Sequence, residues 1–303
     1  MKNKVIGIVS PSSSVAADCP LRFNRGIAEL KRLGYEVIIG SHAKSKTHHT
    51  AGTPEDRASD LMSMLLDSDT DIIMATIGGN NANEALPYLD FTAIRNRVKS
   101  HKIFVGYSDN TILLQTLWGV GNVATIQGPS LLTQFGEYGG IHPFTLKSFQ
   151  AVTEGMNSNV SYQLPVADEW TDEYLAWDKE DIRAKRYSSN SGLWILRQGK
   201  SHGTLFGGNL STWLALLDTE YAVLPENPFV FIEDVNENIG SIHRMLTQLN
   251  QAGILTKAQG LLIGRFESKS SMCRDNLMFV MDRLNLPDGF PVIANMDFGH
   301  TDP

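Results

Sequence analysis

The chain has 303 residues, enough for two moderate domains that each bury a core of their own. Hydrophobic residues make up 42% and charged residues 19%, with a mean hydropathy of −0.15, which excludes a chain disordered throughout and one embedded in a membrane. Acidic residues outnumber basic ones, 33 to 26, so the formal charge of −7 supplies no chain-wide cationic field for gripping nucleic acid.

The first half alternates short β-branched runs with amphipathic stretches. Val5-Ile6-Gly7-Ile8-Val9 reads as a strand, closed by a Pro11-Ser12-Ser13-Ser14 turn. Phe23, Ile27 and Leu30 recur at helical spacing before Gly34 stops the helix, and Tyr35 to Ile39 forms a second strand. Thr53-Pro54-Glu55-Asp56 has the pattern of an N-cap, a proline at the first helical position and acids in the first turn; it starts a helix through Met64 and Leu65. Ile72 to Thr76 and Ile103-Phe104-Val105 are apolar runs without alternation, as central strands of a parallel sheet covered on both faces require. From Thr153 to Ser191 the texture turns polar and charge-dense, with Trp170, Tyr174 and Trp177 and no clean period, which reads as a linker or lid. Beyond it come Gly-rich turns (Gly203, Gly207-Gly208, Gly240), a strand at Phe229 to Ile232 and a helix carrying Ile239, Ile242, Met245, Leu246 and Leu249. A strand at Leu261 to Ile263, a helix from Ser271 to Leu284 and a strand at Val292 to Ala294 complete the pattern. The division is an α/β domain over 1–165, a linker or lid over 166–190, and a second domain over 191–303.

The sharpest local feature is Ile103 to Leu114, where a strand runs into Gly106-Tyr107-Ser108 and at once into a helical pattern. A tight turn of this kind lifts Ser108 Oγ above the sheet edge, and the Asp109 amide opens a helix whose positive end receives an oxyanion. The competing reading is a serine or aspartate N-cap in a βα loop, since Asn110 replaces the second glycine of the nucleophile pattern. Thr76-Ile77-Gly78-Gly79-Asn80-Asn81 follows a neighbouring strand at the same edge, so Gly79 is a candidate second oxyanion donor, or part of a plain turn. Gly119-Val120-Gly121 follows a helix and leads into a strand, the reverse of a dinucleotide fingerprint, and reads as helix termination. His48-His49 has no third ligand in view and reads as a solvated loop; no metal is implied. A nucleophilic serine needs a base and a carboxylate that orients it. Glu233 and Asp234, directly after an apolar strand, and His300, in Phe298-Gly299-His300-Thr301, are the candidates; a capping Asp234 and a surface His300 are the alternatives.

Cys19 and Cys273 are too few for a disulfide framework or a CxxC knuckle. The start of the chain, Met1-Lys2-Asn3-Lys4 and a short apolar run before Ser10, is too brief for a secretory leader, which points to the cytoplasm.

Together, the opening strand with Pro11-Ser12-Ser13, Gly78-Gly79-Asn80-Asn81, Gly106-Tyr107-Ser108-Asp109, Gly207-Gly208-Asn209-Leu210, Ile232-Glu233-Asp234-Val235 and Gly299-His300-Thr301 resemble the LD-carboxypeptidase and microcin C self-immunity family of serine peptidases. The resemblance implies an N-terminal flavodoxin-like parallel-sheet domain, a C-terminal β-rich α/β domain, and a Ser108, Glu233 and His300 triad assembled between them. It also implies Gly79 and Asp109 as oxyanion donors, no cofactor, and typically a homodimer. Gly-Gly-Asn-Asn, with the aromatic segment from Glu169 to Trp177 and the stretch Asn190 to Trp194, resembles the immunity branch, which cleaves peptidyl or aminoacyl nucleotides. Gly78, Asn80, Trp177 and Asn209 are then the substrate-binding candidates, with Trp177 stacking on a purine; packing of the domain interface is the alternative for each of Trp170, Trp177 and Trp194. The murein tetrapeptide LD-carboxypeptidases, which usually carry Arg-Gly-Gly-Tyr-Gly, are the alternative; a non-catalytic small-ligand binding protein is another. Arg183, Lys185 and Arg186 could meet a phosphate or form a solvated lid face. Relatives continue past the histidine motif, so the resemblance implies a C-terminal domain cut short at Pro303.

Overall fold

The computed structural model describes residues 4–155 and 161–303. The first three residues and 156–160, which carry part of the leader reading and of the polar stretch, lie outside the described residues. The chain divides into two compact units, one of residues 4–164 with 174–186, the other of 165–173 with 187–303. The segment read as a linker or lid over 166–190 is thus shared, 174–186 going with the first unit and its two ends with the second.

The first unit holds strands β1 (Val5–Val9), β2 (Glu36–Ile39), β3 (Ile72–Ala75), β4 (Ile103–Gly106) and β5 (Ala124–Gln127), all parallel in the order β2-β1-β3-β4-β5. This is the flavodoxin-like order. Its helices are α1 (Val15–Asp18), α2 (Pro20–Arg32), α3 (Pro54–Leu66), α4 (Phe91–Arg97), α5 (Thr111–Gly119) and α6 (Pro143–Gly155). Every residue of β1, β3 and β4 is buried, because both sheet faces are covered. On one face Ile6, Ile8, Ile72, Met74, Ile103 and Val105 alternate with their neighbours and pack with Phe23 and Leu30 of α2 and with Leu131 and Phe135. Each such side chain contributes about 1.5–3 kcal/mol on burial. On the other face Gly7 makes room for α3, since a Cβ there would stand 2.7 Å from Met64 Sδ. The entry to α3 carries the reciprocal capping box foreshadowed by Thr53 and Asp56: Asp56 N–H donates to Thr53 Oγ1 (3.2 Å) and Thr53 N–H to Asp56 Oδ2 (3.0 Å).

The 174–186 segment is latched to α2. Asp178 caps its N-terminus, accepting from the Leu21 and Arg22 amides at 2.7 Å each. The buried Arg22 guanidinium donates to Asp181 and Glu137 (3.0 Å each) and lies 4.3 Å from the Trp177 ring centroid. Lys185 of the basic cluster is paired with Glu137 at 2.9 Å.

The second unit begins with a two-stranded ribbon, β6 (Glu169–Trp170) and β7 (Ser188–Ser189). Its main sheet is built from β8 (Trp194–Arg197), β9 (Thr204–Asn209), β10 (Pro228–Glu233), β11 (Gly260–Gly264) and β12 (Val292–Met296) in the order β8-β12-β11-β10-β9, parallel except for β8. Helices α7 (Leu210–Leu214), α8 (Ile239–Gln251), α9 (Ile254–Lys257) and α10 (Arg274–Met281) complete it. One expectation is corrected here: Gly207-Gly208 is not a turn but the interior of β9. Gly207 sits opposite Phe231, and a Cβ on it would run into the Phe231 carbonyl, so glycine permits strand approach rather than chain reversal. Trp170 stacks on Arg265 (5.0 Å to the ring centroid) within this unit. Among the described residues no helix is long and apolar enough to cross a membrane.

Candidate functional site

In the first unit three loops leave the carboxyl edge of the sheet side by side, after β1, β3 and β4, next to the point where strand order reverses. Ser108 follows β4 at φ +64°, in the left-handed region that a β-carbon disfavours, and a single 3-10 turn (Ser108–Asn110) passes directly into α5. The Gly-Tyr-Ser pattern thus folds as a strained strand-to-helix turn. Asn110, at the position of the missing glycine, is fully buried and donates to the Tyr107 (2.9 Å) and Ile77 (3.2 Å) carbonyls, tying the turn to the neighbouring loop.

Gly78 faces Ser108 so closely that a Cβ there would stand 2.7 Å from Ser108 Cβ, 2.9 Å from its Oγ and 3.1 Å from the Asp109 amide nitrogen. Gly79 turns its other side to the β1 loop, where a Cβ would be 2.9 Å from Ser13 Cβ and Ser13 N. Only glycines let the loops approach this far. The amide N–H groups of Gly79 and Asp109 donate to no other group among the described residues, leaving two backbone donors uncommitted beside the serine.

The Asp109 side chain is the clamp. Its buried Oδ2 accepts from Ser12 Oγ in a short hydrogen bond and from Ala82 N–H at 2.8 Å, so one carboxylate joins all three loops. Burial pushes this carboxyl above its ordinary value, against the pull of the Ser12 and backbone donors. Ser13 Oγ and Ser13 N–H both donate to the Gly78 carbonyl, at 2.8 and 3.3 Å. The sequence marks these serines as a turn and as one piece of the family resemblance; their adjacency to the glycine loop is set by tertiary structure. Asn80 is exposed at the loop tip, beside a cavity of about 350 Å³ lined by Ser12 to Val15, His48, His49 and Asn81. His49 Nε2 is bonded to Asn81 Oδ1 at 2.8 Å.

In the second unit, Glu233 ends β10 and His300 follows β12, with β11 between those strands. They meet because β11 ends in Gly264, where a Cβ would stand 2.9 Å from Glu233 Cβ, and because Gly299 adopts φ +113° with Glu233 Cβ again 2.9 Å from its own missing Cβ. His300 Nδ1 lies 2.6 Å from Glu233 Oε2; the carboxylate is fully buried and the imidazole 17% exposed. The carboxylate at Nδ1 holds the ring in one orientation. Burial opposes a charge on the ring, but the charge and hydrogen bond of Glu233, reinforced by Asp234 and Glu267, outweigh it and raise the His300 pKa above its ordinary value.

Asp234 plays a different part from Glu233. It accepts from Ser211 N–H (2.8 Å), Val235 N–H (2.9 Å) and Asn209 Nδ2 (3.1 Å), anchoring the first turn of α7, while Asn209 Oδ1 caps the same helix through Thr212 N–H (3.1 Å). Asn209 is buried and pairs with Glu233 in the β9–β10 ladder. Trp177 belongs to the first unit, half-buried against its core and over Arg22. Among the described residues no group of three His, Cys, Asp or Glu side chains is placed to hold a metal ion.

The family model described as the LD-carboxypeptidase N-terminal domain matches residues 6–128, and that of the LD-carboxypeptidase C-terminal domain matches residues 202–303. The chain is 31% identical to the microcin C7 self-immunity protein MccF of Escherichia coli, over 98% of this chain and 86% of that protein. It is 28% identical to a probable murein peptide carboxypeptidase of Bacillus subtilis, over 100% of this chain and 85% of that one. A solved structure of MccF in complex with glutamyl sulfamoyl guanosine superposes with a TM-score of 0.86 at 28% identity, covering 100% of this chain and 90% of that one.

Proposed function

Because this chain belongs to the LD-carboxypeptidase family of serine-type peptidases, we propose that it hydrolyses the amide bond of peptidyl or aminoacyl nucleotides through Ser108, Glu233 and His300. The observation that carries the reading is Ser108, held at φ +64° beside the two uncommitted Gly79 and Asp109 amides. His300 Nε2 takes the Ser108 proton as Oγ attacks the acyl carbon, and Glu233 keeps the imidazole in the required tautomer. The two amides stabilise the oxyanion. His300 then returns the proton to the departing nitrogen, freeing the nucleotide part, and water repeats the cycle on the acyl-enzyme to release the acid. Gly78 leaves room for the acyl group, Asn80 and Asn209 supply polar contacts, and Trp177 stacks on the base. The MccF complex with an aminoacyl nucleotide analogue supports this choice of substrate.

Murein tetrapeptide is the second reading, supported by the likeness to the Bacillus subtilis carboxypeptidase. The test is turnover of an aminoacyl sulfamoyl adenosine against a tetrapeptide ending in D-alanine, with the released amino acid followed by mass spectrometry. Preference for the nucleotide supports the proposal; preference for the tetrapeptide replaces it with the second reading. A Ser108→Ala variant as active as the parent overturns both.

A further inference from the structure

The two loops behind the serine carry a lock that the triad chemistry does not itself require. The Gly78 carbonyl receives two donors from one residue, Ser13 Oγ at 2.8 Å and Ser13 N–H at 3.3 Å. The described peptide bonds are trans, so the carbonyl of Gly78 and the N–H of Gly79, which share one peptide plane, point in opposite directions. Fixing the carbonyl toward Ser13 therefore fixes the Gly79 N–H away from it. The position of the missing Gly78 Cβ, 2.9 Å from Ser108 Oγ and 3.1 Å from the Asp109 nitrogen, shows that the loop faces the serine there, while its Gly79 side faces Ser13.

A diglycine peptide has little intrinsic resistance to rotation of its plane, and the reversed plane would present a carbonyl oxygen where a donor is needed. We infer that Ser13 is a positioning residue: its hydroxyl holds the Gly78–Gly79 peptide in the orientation that offers the Gly79 N–H to the oxyanion. The inference rests on the serine-hydrolase reading above. Ser13 touches no reacting atom in it; its effect is transmitted through one peptide plane.

The experiment measures Ser13→Ala, Ser13→Thr and Ser108→Ala with an aminoacyl sulfamoyl adenosine. It also follows the rate at which phenylmethylsulfonyl fluoride modifies the protein, by intact mass. Loss of one hydrogen bond that orients a donor lowers kcat about tenfold, short of the ~10²–10³ seen when an oxyanion donor is removed outright. KM and the melting temperature stay near the parent's, sulfonylation slows with kcat, and Ser13→Thr, which keeps the hydroxyl, restores both rates. Ser13→Cys, nearly the same shape with a weak donor, serves if the alanine variant does not fold, and loses rate in the same way. Parental kcat in Ser13→Ala or Ser13→Cys, or a change confined to KM, overturns the inference while leaving the triad standing. Full turnover and labelling in Ser108→Ala overturns the underlying reading instead.

Discussion

Replacing Glu233 by glutamine keeps the shape of the side chain and removes its charge, which tests how the acid and the histidine work together. In the parent, a buried carboxylate 2.6 Å from His300 Nδ1 fixes the tautomer and favours the protonated ring. Glu233 Oε1 has no partner among the described residues, so the carboxylate's interaction is concentrated on the imidazole. A glutamine amide that presents N–H to Nδ1 forces the proton onto Nε2, the wrong tautomer for a base; a change of this kind costs about 10⁴-fold in kcat in a serine triad. The pH profile moves as well. His300 titrates above the ordinary histidine value of about 6.5, so the acid limb of kcat/KM in the parent lies above that pH. Without the Glu233 charge the ring keeps only the weaker support of Asp234 and Glu267 against burial, and the limb shifts to lower pH. Steady-state kinetics of both proteins between pH 5 and pH 9, with circular dichroism to confirm folding, provides the assay. A Glu233→Gln variant within a few-fold of the parent, or an acid limb that does not move, refutes the assigned role.

The same raised pKa makes a stability prediction: the His300–Glu233 contribution is fully present below the ordinary histidine value and is lost as pH rises through the folded one. Denaturant unfolding at stepped pH should therefore show a decline through that window which His300→Gln removes; an unchanged slope contradicts the pairing. Ser108→Gly relieves the left-handed strain and raises stability by about 1 kcal/mol while abolishing turnover, as read by urea unfolding and product release. Gly78→Ala drives a methyl against Ser108 Cβ and Oγ and costs activity by orders of magnitude, with about 1–3 kcal/mol of stability; an active Gly78→Ala enzyme would show the loops to be less closely opposed. Trp177→Ala weakens AMP binding by about 5- to 150-fold, the equivalent of ~1–3 kcal/mol of stacking, while tetrapeptide turnover is unaffected; calorimetry showing equal AMP affinity removes Trp177 from the nucleotide site.

Much of this arrangement is legible in the chain itself where local and tertiary requirements coincide. The unbroken apolar runs of β1, β3 and β4 announce a sheet covered on both faces, and Thr53-Pro54-Glu55-Asp56 announces the start of α3. The turn at Ser108 is visible because a strand and a helix meet there with no room for a loop. What stays hidden depends on neighbours distant in sequence. Gly207-Gly208 has the composition of a turn, and only the Phe231 carbonyl opposite explains why glycine stands in a strand. Segment 174–186 has no period because its order comes from Asp178, Asp181 and Trp177 engaging α2 rather than from a regular element. The roles of Ser12 and Ser13 arise from hydrogen bonds to Asp109 and Gly78, residues about a hundred and about sixty-five positions away. The glycines at 264 and 299 matter for the space they leave around Glu233, which no local pattern encodes.

The central claim is that Ser108 carries the acyl group during turnover, and the direct test is to trap that species. Enzyme mixed with an aminoacyl sulfamoyl adenosine, quenched in acid within the first turnover and digested, should yield the peptide containing Ser108 heavier by the acyl mass, with a matching burst of released nucleotide. Acylation found on another residue, or single-turnover hydrolysis in which Ser108 stays unmodified at every time point, would contradict it.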